Sequence, residues 1–245
     1  MRILIFGAGR VGRSMAAYAA HLGHEVDLVG RAACANDLPA IRAKVAAAGL
    51  IAAAIPDAEL AQWGAEWRAW IGPGRAIHFS GAQRIDGLLS YHPLYSFPLE
   101  PLAPQKTAAI AIAREAGAPR FAEVLPGAAN PEFEIAPKDR AFYHALAVLS
   151  GNFAAHLFNE TARAFAQRLR LEPRDILGHY LDSVVERFRE SPYDSLTGPV
   201  VRRDEATVAA NLASLAGEPR LSALYKAFLA SAWPDHGGRP ELPTR

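Results

Sequence analysis

Gly7-Ala8-Gly9-Arg10-Val11-Gly12 stands between an apolar run at residues 2–6 and a helix-like stretch at residues 10–22. A G-x-G-x-x-G string alone is a weak signal. Here it has a strand before it, a helix after it and a second strand-like run at residues 25–29, which is the context of a dinucleotide-binding unit. Each glycine then has a mechanical task. Gly7 permits the tight turn, Gly9 lets a pyrophosphate approach the backbone, and Gly12 lets helix and strand pack closely. Ala8, Arg10 and Val11 complete the loop, and the free N–H groups at the helix start would hold the phosphates. The alternative is a glycine-rich turn in an α/β domain that binds no nucleotide.

The end of the second strand chooses the cofactor. NAD sites place Asp or Glu there, roughly 20 residues past the glycines, to bind the ribose 2′-hydroxyl. This chain has Gly30 and then Arg31, while Asp27 falls too early, inside the strand. With no carboxylate to repel a 2′-phosphate and a guanidinium to pair with it, the expected cofactor is NADP(H). A solvated loop arginine is the other reading of Arg31.

Outward from this loop, the first half alternates strand-like runs (50–55, 75–79, 107–113) with helical ones (37–48, 59–70). Asp37 and Asp57 are placed to cap the two helices. After Asp139 no strand pattern remains, and residues 140–169, 174–189, 204–215 and 221–230 read as helices. The change of texture falls at 126–137, which carries Pro126, Gly127, Pro131 and Pro137. The expectation is an α/β protein: an N-terminal Rossmann domain with a parallel sheet over 1–134, and a C-terminal all-helical domain over 135–245. The Gly- and Pro-rich tail after Trp233 is expected to fray.

Bulk properties narrow the classes. The net charge is +1, from 26 basic and 25 acidic side chains, so no global field draws the chain to nucleic acid or a membrane surface. No apolar run reaches the roughly 18 residues of a membrane span, and the run at the N-terminus is too short for a signal peptide. A cytoplasmic protein is expected. Cys34, the single cysteine, has no evident base partner and does not read as a nucleophile, and no zinc-like spacing occurs, so no metal is expected.

Ligands of open parallel sheets sit beyond the carboxyl ends of strands. Ser80 and Gly81, in His78-Phe79-Ser80-Gly81-Ala82, occupy such a place, and His92 follows in a predicted loop. His92 could exchange a proton with a carbonyl oxygen, and Ser80 could hold that oxygen. A loop imidazole bracing a Pro-rich turn is the plainer reading of His92, and a satisfied buried histidine that of His78. On the long helix, Asn152, His156, Asn159 and Arg163 share one face. Asn152 could orient a substrate carboxylate or carbonyl, although such a face is often merely solvated. In Leu196-Thr197-Gly198-Pro199-Val200-Val201-Arg202-Arg203-Asp204, Thr197 and Arg202 or Arg203 could bind an anionic substrate. A structural turn capped by Asp204 accounts for the segment equally well.

The glycine loop, His78-Phe79-Ser80-Gly81-Ala82, His92-Pro93-Leu94-Tyr95-Ser96-Phe97 and Leu196-Thr197-Gly198-Pro199 together resemble a family of Rossmann-like oxidoreductases with a DUF2520 C-terminal domain. That family is similar to the 6-phosphogluconate-dehydrogenase-like superfamily, with ketopantoate reductases, pyrroline-carboxylate reductases and prephenate dehydrogenases as relatives. The resemblance implies an all-helical second domain, a cleft between domains and a homodimer built through the helices. It also implies that His92, like the histidine of prephenate dehydrogenases, bonds the reacting hydroxyl. The chain departs from the family pattern in having Arg202-Arg203-Asp204 where relatives have Arg-Gly-Asp. It also has no secure counterpart of the ketopantoate reductase lysine, Lys138 being the sole lysine near the junction. The expected function is an NADP-dependent oxidoreductase acting on a small carboxylate-bearing carbonyl, imine or alcohol, with ketopantoate the first candidate. Its rivals are a non-catalytic NADP(H)-binding regulator, a prephenate-dehydrogenase-like enzyme and an F420-dependent oxidoreductase.

Overall fold

Residues 2–6 alternate between two buried faces. Ile3 and Ile5 turn to one side of a sheet and Leu4 and Phe6 to the other, each no more than 2% exposed. A strand apolar on both faces needs cover on both, which parallel α/β units supply. The computed structural model describes residues 1–72 and 74–233. It divides into two compact units, Met1–Gly151 and Asn152–Arg245.

The first unit runs β1 (Arg2–Phe6), α1 (Arg10–His21), β2 (Glu25–Val29), α2 (Arg31–Asn36), α3 (Leu38–Ala47), β3 (Leu50–Ala53), α4 (Asp57–Trp67), β4 (Ala76–His78), β5 (Leu89–Pro93), α5 (Pro104–Ala108), β6 (Ile112–Glu115), α6 (Phe121–Val124), β7 (Glu132–Ile135) and α7 (Arg140–Ala147). The seven strands form one sheet in the order β2-β1-β3-β4-β5-β6-β7, parallel throughout except between β5 and β6. One core layer packs Met15, Tyr18 and Phe121 against Ile5, Ile77 and Tyr91. The opposite layer packs Val45, Leu60, Trp63 and Trp67 against Leu4, Phe6 and Ile51.

A π-helical turn, Val148–Phe153, follows α7. The second unit then holds α8 (Ala154–Arg168), α9 (Pro173–Glu190), α10 (Pro199–Arg202), α11 (Glu205–Ser214) and α12 (Pro219–Ala232), with no strand among its described residues. Asp204 caps α11, accepting from the Thr207 N–H at 3.0 Å. No helix among the described residues is long and apolar enough to cross a membrane.

Several sequence expectations need correction. The stretch 126–137 is no linker: β7 pairs there with β6, and the compact units part at 151/152 instead of 134/135. This edge strand is disguised by charge, since Glu132 and Glu134 answer Arg114 and Arg120. Thr107 belongs to α5, opened by Pro104 at the first helical turn, where a proline loses no hydrogen bond; the strand starts only at Ile112. Asp37 caps α3 as expected, whereas Asp57 lies inside the first turn of α4 and Pro56 takes the cap position. His92 lies on strand β5, not in a loop. Arg31 opens the unpredicted helix α2. The tail after Trp233 and the side chain of Cys34 lie outside the described residues.

Candidate active site

Two features of the first unit sit beyond the carboxyl ends of its strands. The first is the glycine loop. Gly7 has φ of +104°, and a Cβ there would come within 2.2 Å of the Ala54 carbonyl oxygen. A Cβ on Gly12 would meet the Gly7 carbonyl oxygen at 1.8 Å, so helix and turn touch only because Gly12 has no side chain. A Cβ on Gly9 would meet nothing within 4 Å, so this position faces open space. Gly9 caps α1 without a side-chain bond, and the first turn carries no acid. The initial N–H groups of this helix are therefore free to receive an anion. Arg13 donates from Nε to the Ala8 carbonyl at 2.9 Å and braces the loop, and Val11 packs beside Phe97. Arg10 is exposed at the helix start.

The loop borders a cavity of about 550 Å³ whose walls include Gly30, Arg31, Pro56 and Glu59, with Trp63 and Trp67. These residues fit an adenine dinucleotide: glycine backbone for the pyrophosphate, aromatic and apolar walls, and a cation beside Gly30. Arg31 is not alone, however, because its guanidinium is paired with the Glu59 carboxylate. No acid follows β2 in the sequence, and this one arrives from α4, 28 residues further along the chain.

The second feature gathers around Gly81. His92 Nδ1 lies 2.7 Å from the Tyr143 hydroxyl, and its ring meets those of Tyr143 and His144 edge-on. Burial, reinforced by His144 and Arg140, pushes the His92 pKa down to about 4, while burial pushes Tyr143 up to about 12. Both groups are therefore neutral at pH 7. A Cβ on Gly81 would come within 2.8 Å of His144 Cδ2 and 3.0 Å of His92 Nδ1, so the glycine makes room for the two imidazoles.

Ser80 is buried, and its Oγ accepts the N–H groups of Ala82 at 3.2 Å and Gln83 at 2.9 Å. That turn fixes the loop after β4 and leaves the hydroxyl proton to donate. The Ser80 carbonyl accepts from Ser90 Oγ at 3.1 Å and from Arg140 Nη1 at 3.3 Å. Arg140 also donates to Ser90 Oγ at 2.6 Å. His78 is fully buried, its Nδ1 accepting the Ser80 N–H at 3.3 Å, and its pKa is pushed down to about 4 by burial and then by Arg140.

Ser80 and His92 are thus brought into one group, joined by Tyr143, His144 and Arg140, which no sequence motif marks. A polar triplet on the inner side of a helix's first turns was the available signal, but the apolar residues around it masked it. The other candidates lie in the second unit. Asn152 sits in the π-helical turn, where the wider turn disturbs the 4, 3, 4 spacing on which its shared face rested. Arg163 pairs with Glu160, which is itself buried and also faces Arg220 at 3.6 Å, a structural use of that arginine. Thr197 is exposed before Gly198, and Arg203 takes a left-handed conformation, φ 56°, that ends α10, with its guanidinium 5.9 Å from the Trp233 ring. Among the described residues no cluster of His, Cys, Asp or Glu could hold a metal ion.

Solved structures share this fold along nearly the whole chain. A Bacteroides fragilis protein, provisionally assigned as an NADP oxidoreductase, is 20% identical with a TM-score of 0.70, covering 96% of this chain and 98% of its own. Protein TM1727 of Thermotoga maritima is 21% identical, TM-score 0.66, over 94% and 96%. An imine reductase of Streptomyces aurantiacus is 19% identical, TM-score 0.58, over 95% and 93%. At such identities the likeness is one of fold. No curated protein matches the chain in sequence. Residues 109–232 match the family described as "Domain of unknown function (DUF2520)". Since that match takes in just over half of the 245 residues, the chain belongs to the DUF2520 family.

Proposed function

We propose that the protein is an NADP(H)-dependent oxidoreductase acting on a small carboxylate-bearing carbonyl, imine or alcohol. The observation that carries this reading is the His92–Tyr143 hydrogen bond at the end of β5, in the same sheet whose β1 ends in the glycine loop. In open α/β sheets such strand ends are where ligands bind. Residues Gly7 to Gly12 would hold the pyrophosphate and Arg31 the 2′-phosphate. A bound nicotinamide supplies hydride exchange with a carbonyl or imine carbon. His92, neutral at pH 7, serves as a hydrogen-bond partner instead of a standing imidazolium acid, and it steadies the Tyr143 hydroxyl, where burial keeps a proton. Ser80 retains one O–H to offer an oxygen or nitrogen of the substrate. Fold neighbours support the class: the imine reductase already described, and a reductive aminase of Aspergillus terreus in complex with NADPH4, cyclohexanone and allyl amine, with a TM-score of 0.53. Ketopantoate and cyclic imines are therefore the first substrates to try.

A homodimer accompanies this reading. Helix α9 has no buried residue, and Tyr180, Val184 and Phe188, spaced four apart on one face, are 63%, 45% and 55% exposed. A second copy of the chain would cover such a stripe.

The test is NADPH oxidation, followed at its near-ultraviolet absorbance band, against 2-oxo acids and cyclic imines, with thermal shifts in NADPH and NADH alongside. Turnover and a larger shift with NADPH are expected. Equal shifts would refute the NADP(H) preference, and tight NADPH binding without turnover across the panel would refute the enzyme.

A further inference from the structure

Helix α4 turns one face toward the glycine cavity. Glu59, Gln62, Trp63 and Glu66, at spacings of three, one and three, all line it. Among the described residues lining this cavity Arg31 is the one cation, and Glu59 and Glu66 are the acids. Arg31 Nη2 donates directly to Glu59 Oε1 across 28 residues of sequence. Both side chains remain solvated, Arg31 at 81% and Glu59 at 45% exposure, so the pair is held loosely enough to open.

We propose that Glu59 is a specificity-determining residue: a built-in counter-ion that occupies Arg31 until a 2′-phosphate displaces it. The inference rests on the reading of Arg31 as the 2′-phosphate ligand. A guanidinium already paired with a carboxylate gains less from a phosphate than a free one, because one charge-assisted contact must be given up for the other. Glu59 therefore lowers affinity for the phosphorylated dinucleotide and leaves the unphosphorylated one almost untouched. The distance along the chain explains why inspection of the β2 terminus alone cannot set the cofactor preference.

Glu59→Gln removes the charge and keeps the side chain's length. Calorimetric titrations with NADPH, NADH, 2′,5′-ADP and 5′-AMP would compare wild type, Glu59→Gln, Arg31→Ala and the double variant. The expected gain in Glu59→Gln is about two- to fivefold for NADPH and 2′,5′-ADP, the range set by an exposed ion pair, with no gain for NADH or 5′-AMP. Arg31→Ala should weaken NADPH about tenfold or more, and in that background Glu59→Gln should bring no gain. If Arg31→Ala weakens NADPH while Glu59→Gln fails to tighten it, the counter-ion role is refuted and the Arg31 assignment survives. A gain shared by NADH, or one that persists without Arg31, also refutes it. Unchanged NADPH affinity in Arg31→Ala removes the Arg31 assignment itself, and the inference with it.

Discussion

His78 offers a direct check on the buried polar group behind Ser80. Its Nδ1 accepts the Ser80 N–H, so the ring proton sits on Nε2, and protonating the ring would turn that acceptor into a second donor facing a donor. Burial and then Arg140 oppose the same protonation, and the pKa stands near 4 against the ordinary 6.5. The sign follows. Above pH 6.5 both folded and unfolded states hold a neutral imidazole, and stability is unaffected. As pH falls from 6.5 to about 4 the unfolded chain takes up a proton that the folded chain refuses, so stability is lost across that window and levels off below it. At about 1.4 kcal/mol per pK unit the full loss is about 3 kcal/mol. His78→Asn leaves an acceptor in place of Nδ1 and removes the titration. Urea unfolding of wild type and variant, at several pH values between about 7.5 and 4.5, should show a shallower decline in the variant by up to about 1.4 kcal/mol per pH unit. The variant starts less stable because of its cavity, but an offset does not alter a slope. His92, pushed down to about 4 as well, adds to the wild-type slope and remains in the variant. Parallel curves for the two proteins would refute the reasoning.

Gly12→Ala places a Cβ 1.8 Å from the Gly7 carbonyl oxygen, a backbone atom with no rotamer to escape into. It should cost about 1–3 kcal/mol in urea unfolding and abolish the NADPH-induced thermal shift, and a stable, NADPH-responsive variant would contradict the assigned role. Gly81→Ala pushes on the imidazoles of His92 and His144, which can swing away, so its stability cost should be near 1 kcal/mol, about that of the lost bond to Tyr143. Its signature is the His92 titration by NMR, expected to rise from about 4 toward 6.5 as the ring leaves its buried seat, and an unmoved titration would refute that account. Phe188→Asp, on the open stripe of α9, should convert a dimer to a monomer in light scattering while folding survives, since the residue is 55% exposed. A monomeric wild type would end that reading.

What the sequence made legible was local. The strand, glycine turn and helix at residues 2–21 announce themselves within twenty residues, and Asp37, Pro39 and Asp204 mark helix starts by their own chemistry. What it hid depends on contacts between distant segments. His92 meets Tyr143 across 51 residues, Arg140 meets Ser90 across 50, and Arg31 meets Glu59 across 28. A motif at the end of one strand cannot report a carboxylate carried by another element. Short, polar strands were lost for a similar reason. Glu132–Ile135 exposes part of its length and carries its own counter-ions, so its pairing with β6 is visible only in the sheet.

The arginine at the head of α7 shows why the hidden half of the site has the form it has. Arg140 is 4% exposed, its Nε has no partner among the described residues, and its nearest carboxylate, on Glu115, stands 3.7 Å away. A buried cation so loosely neutralised contributes little to stability, and an apolar side chain of similar volume would serve the core as well or better. What no apolar residue could do is hold the Ser80 carbonyl and the Ser90 hydroxyl together. Those two bonds join the loop after β4 to β5 and tie both to the helix that carries Tyr143. His78 Nε2, also buried with no partner among the described residues, lies in the same group. Two unsatisfied polar atoms collected behind one histidine–tyrosine pair are a cost that core packing alone would not select. They make sense if the position of His92 against Tyr143 is what this part of the molecule is built to fix.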